Sequence, residues 1–526
     1  MHRLCALFLA AILFGGCAAR PPGANYPKEA STAFAHPEET DLGRRMQPAI
    51  SAHTGLSGFH ILNRGEDGFL ARAQMIEHAQ RAIDLQYFIF RNDDTGQLLA
   101  LSLLKAADRG VHVRILVDDS ETENGDEKLA ALQAHPNIEL RIFNPFRYRG
   151  HLDAIRFAEF MFNSDRLDYR MHNKLFVVDN ALALVGGRNL ADGYFQVDPA
   201  EQFGDDDVFS VGPIVAQLSH TFDDYWNSAN AIPAAALGQA SASQLDVYRH
   251  ALEAHRQQLD AAGTDYALRM QSGQPLEGML TGTLPLAWAK AQVVCDSPDK
   301  AKVEKGEEAG RLMNRQVGAA VAGVQSELLM VSPYLVPGQD GMQLLESLRA
   351  RQVHVSILTN SLMSATVLSA QAGYMRYRIP MLDDGIELHE LRAVLGSPRG
   401  SGQSAAMSSF GHYSLHAKLF VLDRKRLFIG SMNFDQRSMH LNTEIGLIID
   451  SEELAQQIAQ RFEAITAPAN SYQVVESGAA SGDKPHLSWR TEEQGQRVEY
   501  TEEPAPDVLK RIEAGMISLL PLDREL

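Results

Sequence analysis

One short pattern occurs twice in the chain. His172-Asn173-Lys174-Leu175-Phe176-Val177-Val178-Asp179 and His416-Ala417-Lys418-Leu419-Phe420-Val421-Leu422-Asp423 stand 244 positions apart. Each is a histidine, a lysine two places later, four apolar residues and an aspartate. The apolar run suits a strand, on which residues i and i+2 share a face, so each histidine stands beside its own lysine. The aspartates fall an odd number of positions away and begin Asp179-Asn180 and Asp423-Arg424, pairs that read as turns; this gives them an orienting or structural role. Two copies predict two similar lobes that meet around a pseudo-twofold axis and build one site between them.

The surrounding segments repeat in register. Residues 69–81 have helical character, Ile83 to Phe90 reads as a buried strand, Leu98 to Arg109 as a helix stopped by Gly110, and Val111 to Val117 as a second strand. Leu328 to Leu335, Leu344 to Ala350 and Val353 to Leu358 answer them in the second half, and the two Val-His-Val segments are 242 residues apart. This is βαβ alternation and an α/β chain. With 526 residues, 45% of them hydrophobic, there is enough apolar surface for two domains. The boundaries predicted are a first lobe at 56–230, a helical linker at 231–274, a second lobe at 275–470 and a C-terminal extension at 471–526. The Gly/Ser-rich stretch 391–412 reads as a surface loop placed to act as a lid.

Two imidazoles and two ammonium groups suit a phosphodiester. The lysines hold its charge while one neutral histidine attacks phosphorus and the other, protonated, supplies the leaving-group proton, so no metal and no cofactor is required. Each ring also needs a carboxylate to fix its tautomer. Asp205-Asp206-Asp207 follows the first motif and Glu444 the second; Asp207 and Glu444 are the predicted partners, with Asp205 the rival to Asp207. Asn189 and Asn433 each fall 17 residues after their histidine, and Gly186 and Gly430 each fall 14 after. The asparagine amides can donate to phosphate oxygens and the glycines permit a turn near the site. Cys295 has no paired counterpart and reads as a free structural thiol. Arg147, Tyr148, Arg149 and His151 form a basic and aromatic stretch suited to phospholipid headgroups as well as to a solvated loop.

A net charge of -18 argues against nucleic acid as a partner. At the N-terminus Arg3 precedes an apolar run from Leu4 to Phe14 and then Gly15-Gly16-Cys17-Ala18-Ala19. That run is shorter than the about 20 residues a membrane-spanning helix needs and reads as a signal peptide, residues 1–16. The segment 13–17 is similar to a bacterial lipoprotein processing site, which implies lipidation of Cys17, a tether over 17–55, and, with no aspartate at 18, an outer-membrane address facing the periplasm.

These motifs resemble the phospholipase D superfamily. The first histidine motif with Gly186-Gly187-Arg188-Asn189, and the second with Gly430-Ser431-Met432-Asn433 and Asn442-Thr443-Glu444, carry the likeness. Gln86 to Phe90, Ala106 to Asp118 and Tyr194-Phe195 are similar to the bacterial cardiolipin synthases, most of all the third, shorter-anchored type. The resemblance implies two lobes, each a mixed β-sheet flanked by helices. It implies phosphatidyl transfer from phosphatidylethanolamine or phosphatidylglycerol to phosphatidylglycerol, through a phosphatidyl-histidine on His172, with His416 as acid and then base. Lys174, Lys418, Asn189 and Asn433 would surround the phosphate. Hydrolysis to phosphatidic acid is the alternative the same residues allow, with a phosphodiesterase or nuclease of the superfamily, or a lipid-binding protein without turnover, ranked below it. No oligomeric state or protein partner follows from these residues.

Overall fold

The computed structural model describes residues 21–120, 126–150, 152–197, 201–262, 273–393, 412–477 and 486–520. In the first lobe the strands lie in the order Ala231–Pro233, Ile138–Phe143, His112–Asp118, Ala82–Tyr87, Leu175–Val178, Leu182–Gly186, Asp207–Val211, Ser57–Leu62. The second lobe repeats that order with Ser471–Ser477, Glu387–Leu391, His354–Asn360, Glu327–Val331, Leu419–Leu422, Arg426–Gly430, Ile445–Asp450, Ala287–Cys295. In each, the strand after the first helix has a parallel neighbour on one side and the antiparallel motif strand on the other, so both sheets are mixed. The edge strands Ser57–Leu62 and Ala287–Cys295 pair antiparallel, Gly58 opposite Trp288, and fuse the sheets into one of 18 strands.

The strands read as near-continuous apolar runs because helices cover both faces. Phe69, Leu99, Leu103 and Ile115 fill an outer core in the first lobe, and Met313, Leu345, Ile357 and Phe428 fill its counterpart in the second. Between them lies a core shared by both lobes, where Phe59, Val185, Val208 and Trp226 pack in one cluster with Ile429, Leu447, Ile458 and Phe462. The lobes are therefore halves of one packed body. Gly110 ends the helix Asp94–Asp108 with φ 93°, and Gln352, 242 residues on, takes the same left-handed conformation at φ 64°. Asp179-Asn180 and Asp423-Arg424 have φ between 50° and 54°, the conformation of a two-residue hairpin turn.

Several boundaries differ from the sequence expectation. The segment 17–55 is not a free tether over its described part. Thr40 caps the helix Asp41–Ala52, Leu42 and Met46 are buried, and Ser31 and Ala33 donate backbone hydrogen bonds to Asn227 and Asp223. Leu42, Met46, Ala49 and Ile50 form a helical stripe that Pro48 obscured. The limits at 230 and 470 each sever the lobe's outermost strand: Ala231–Pro233 pairs with Ile138–Phe143, and Ser471–Ser477 with Glu387–Leu391. Beyond it the hairpin His486–Glu493 and Gln496–Tyr500 extends the second sheet, with Trp489 donating to Glu390 at 3.0 Å. The linker helix Ala242–Ala262 lies on the first lobe through buried Leu245, Tyr248 and Leu252. Residues 1–16, Cys17, His151 and most of the loop 391–412 lie outside the described residues.

Candidate active site

The chain entering each histidine runs beside the chain entering a carboxylate of the other lobe. Met171 bridges Thr443 in parallel, and the His172 amide donates to the Thr443 carbonyl at 2.9 Å. His412–Leu415 pairs in parallel with Glu201–Gly204, and the His416 amide donates to the Gly204 carbonyl at 2.8 Å. These pairings bring Glu444 to His172 and Asp205 to His416. His172 Nδ1 lies 2.9 Å from Glu444 Oε2, and His416 Nδ1 lies 2.6 Å from Asp205 Oδ2. With Nδ1 of each ring held by a carboxylate from the opposite lobe, Nε2 is the atom left to react.

Asp207 is corrected by this geometry. It faces Arg72 at 2.8 Å and Arg188 at 3.3 Å, and Arg188 in turn donates to the Asp205 carbonyl. The register gives the reason: Gly186 is opposite Asp207, whereas Gly430 is opposite Gly446, so Asp207 is the counterpart of a glycine and Asp205 the counterpart of Glu444. The three adjacent aspartates separate, Asp206 pairing with Arg461 at 2.6 Å. Among the described residues no group of three or more His, Cys, Asp or Glu is placed to hold a metal ion.

The remaining predicted residues fall as follows. Lys174 Nζ donates to its own motif's His172 carbonyl at 2.7 Å, and Lys418 Nζ lies 3.0 Å from His416 Nδ1. Asn189 and Asn433 are buried; Asn189 Oδ1 accepts from the Ile89 amide at 3.3 Å, while Asn433 Oδ1 has no hydrogen-bond partner. Gly186 and Gly430 make no turn. A Cβ on Gly186 would come within 2.3 Å of the Asp206 carbonyl, and one on Gly430 within 2.5 Å of the Ile445 carbonyl, so both glycines let the carboxylate-bearing chain approach. Asp179 accepts the amides of Arg81 and Ala82 at 2.7 and 2.9 Å, and Asp423 those of Ser326 and Glu327 at 2.7 and 3.1 Å, which ties each hairpin to the start of the neighbouring strand.

Other side chains complete the site, several from segments that carried the family likeness but were given no site role there. Glu444 also accepts from the hydroxyls of Ser431 and Ser438, and its amide donates to Asp296 at 2.9 Å. Asp118 accepts from Arg170 and from the Met171 amide at 2.8 Å, fixing the approach to His172. Phe88 stands edge-on to His172 with centroids 5.0 Å apart, as Tyr194 does to His416 at 4.9 Å. A signal for Asp205 existed in the sequence: counting back three residues from Val208 and from Leu447 reaches Asp205 and Glu444 alike.

Burial governs the charges. It pulls His172 down to about 4, with Lys174 and Lys418 adding to the effect and Glu444 opposing it. His416 is also held well below its ordinary value, by burial and then by Lys418 and Lys174. Burial brings Lys174 to about 7 and Lys418 to about 8. It pushes Asp205 up, whereas in Glu444 burial is outweighed by the contact with His172, by Lys174 and by the Ser431 hydroxyl, which leave the carboxyl low. A phosphodiester's negative charge would oppose the effect of burial on the lysines and histidines.

A family model described as "Cardiolipin synthase, PLD-like domain" matches residues 73–226 and 319–466. The chain is 35% identical over 483 residues to cardiolipin synthase C of Escherichia coli K12, covering 92% of this chain and 99% of that one. It is 28% identical over 462 residues to an uncharacterized protein of Helicobacter pylori 26695, covering 86% of this chain and 87% of the other. The crystal structure of phosphatidylserine synthase from Haemophilus influenzae Rd KW20 superposes with a TM-score of 0.54 at 14% identity, over 92% of this chain and all of that one, a likeness of fold. With its duplicated motif built into one two-lobed body, the chain belongs to the cardiolipin synthase family of the phospholipase D superfamily and is a phosphatidyltransferase of that superfamily.

Proposed function

We propose that this chain makes cardiolipin by moving a phosphatidyl group from phosphatidylethanolamine or phosphatidylglycerol onto phosphatidylglycerol, through a phosphatidyl-histidine. The observation that carries the reading is the crossed pair of histidine–carboxylate contacts, which leaves two Nε2 atoms free in a pocket with two lysines. His172, neutral above about 4, is available as nucleophile throughout neutral pH. Its Nε2 forms the N–P bond, the P–O bond to the headgroup breaks, and the departing oxygen takes a proton from His416 Nε2. Burial and then the two lysines depress His416, and the phosphodiester charge opposes both and favours the protonated ring. In the second half His416 Nε2 removes a proton from the phosphatidylglycerol hydroxyl, that oxygen attacks phosphorus, and the N–P bond breaks. Lys174, Lys418, Asn189 and Asn433 hold the phosphate oxygens.

We further infer attachment to the outer membrane through acylated Cys17, facing the periplasm; among the described residues no helix is long and apolar enough to cross a membrane. Mass spectrometry of products from vesicles with isotopically distinguished phosphatidylethanolamine and phosphatidylglycerol tests the transfer and identifies the donor. Labelled cardiolipin is expected. Phosphatidic acid as the sole product, in detergent and in vesicles, would replace transfer with hydrolysis.

A further inference from the structure

Two helices expose broad apolar faces. On Asp153–Phe162 and the residue before it, Leu152, Ile155, Phe157, Met161 and Phe162 are exposed, Phe162 to 88%. On Val508–Ile517 and just beyond, Val508, Leu509, Ile512, Met516, Leu519 and Leu520 form a second exposed stripe at helical spacing. Both lie where the parallel strands end beside the histidines. The first follows the strand Ile138–Phe143, whose end bonds Arg170; its Arg156 reaches the Asp119 carbonyl, and the adjacent Asp118 holds Met171, the residue before His172. The second packs on the helix Leu368–Met375, which contacts the strand Leu335–Val336. That strand pairs with Phe434-Asp435, immediately after Asn433.

We infer that this rim is a membrane-seating surface, in which both apolar helix faces enter the interfacial layer of a phospholipid leaflet and set the mouth of the histidine site against the headgroups. The inference rests on the proposed phospholipid substrate and names the surface that delivers it. Two separate faces, one from each half of the chain, are each tied to a segment that leads into the site; a flat apolar partner covers both together, whereas a docked peptide helix fills a single groove. Each face is bordered by a basic side chain, exposed Arg147 on one and half-buried Lys510 on the other, in a chain of net charge -18. Such side chains reach from an apolar face to anionic headgroups. Large apolar groups beside basic ones are the composition of helices that lie in a membrane interface.

The test uses the full chain carrying Cys17→Ser, so that acylation plays no part, with vesicles of phosphatidylethanolamine and phosphatidylglycerol. Tryptophan placed by Phe162→Trp or by Leu519→Trp should be quenched by brominated acyl chains, while Val247→Trp, on the outer helix Ala242–Ala262, should not. The double substitution Phe157→Asp with Phe162→Asp should weaken vesicle pelleting at least about tenfold, because two large apolar side chains no longer leave water for the leaflet. Turnover of a short-chain phospholipid dissolved as monomers should be unchanged. No quenching at either position, or undiminished pelleting, overturns the surface. So does a fall in oligomer size with pelleting intact, which would assign the patch to a second copy. Quenching and pelleting without any phospholipid turnover would support the surface while counting against the transferase reading.

Discussion

Asp205 and Asp207 stand two residues apart and do different work, a distinction that substitution can read separately. Asp205 touches the His416 ring and sits against Lys418, so Asp205→Asn removes the acceptor that sets the tautomer while leaving the fold intact. Turnover should fall by about 10²–10⁴ with little change in thermal midpoint. Asp207 is fully buried between Arg72 and Arg188. Asp207→Asn leaves two guanidinium groups without their counter-charge and should cost about 3–5 kcal/mol in denaturant unfolding. The lysines give a second prediction. Lys174 and Lys418 are depressed from 10.5 to about 7 and about 8, so the unfolded chain holds these protons more tightly than the empty site. Their contribution to stability therefore rises with pH from about 7 toward the ordinary lysine value. A bound anion needs the charged forms and works in the opposite direction. Sulfate, constant in charge, should raise the thermal midpoint most below pH 7 and progressively less as pH passes 8; at about a hundred times its Kd the stabilisation is about 2.7 kcal/mol. A shift independent of pH, at constant ionic strength, would place the anion elsewhere.

Elements that repeat were readable, and elements that occur once were not. Ala82–Tyr87, Asp94–Asp108 and His112–Asp118 carry apolar patterns that recur in Glu327–Val331, Gly338–Ala350 and His354–Asn360, so each copy supports the reading of the other. The helix Asp41–Ala52 has no second copy and contains Pro48, and the hairpin 486–500 alternates polar and apolar residues too weakly to stand out from a tail. Of the two carboxylates assigned, Glu444 is found on a histidine and Asp207 gives way to its rival Asp205. Two aspartates two residues apart have the same strand parity, so the pattern alone could not separate them; the register with the partner strand does, setting Asp207 opposite Gly186 and leaving Asp205 beyond it. The docked N-terminal helix makes a direct prediction. Met46, 2% exposed, packs with Leu42 in the first lobe's core, so Met46→Ala should destabilise by about 2–5 kcal/mol in chemical unfolding. A free tether would show no change.

At the scale of the whole molecule the important fact is the exchange of carboxylates, a contact between residues 272 positions apart for His172 with Glu444 and 211 apart for His416 with Asp205. Two motifs in a sequence announce two half-sites, but no local pattern says that each half completes the other, because that depends on how the fused sheets face. The shared central core makes the exchange rigid, and Asp296 and the two serines fix Glu444 further. With the proposed histidine roles, the second lobe would control nucleophilic attack by the first. An activated donor, phosphatidyl-p-nitrophenol, separates the roles because its leaving group departs without a proton. With that donor, Glu444→Gln should reduce formation of the histidine adduct by about 10²–10⁴, since His172 loses the group that orients it. Asp205→Asn should still form the adduct, which should persist because His416 no longer activates the acceptor alcohol efficiently. Rapid quenching in alkali, followed by peptide mapping of labelled phosphate, reads both. Adduct on His416, depleted by Asp205→Asn and retained in Glu444→Gln, would reverse the direction of the reaction across the lobes while leaving the exchange itself in place.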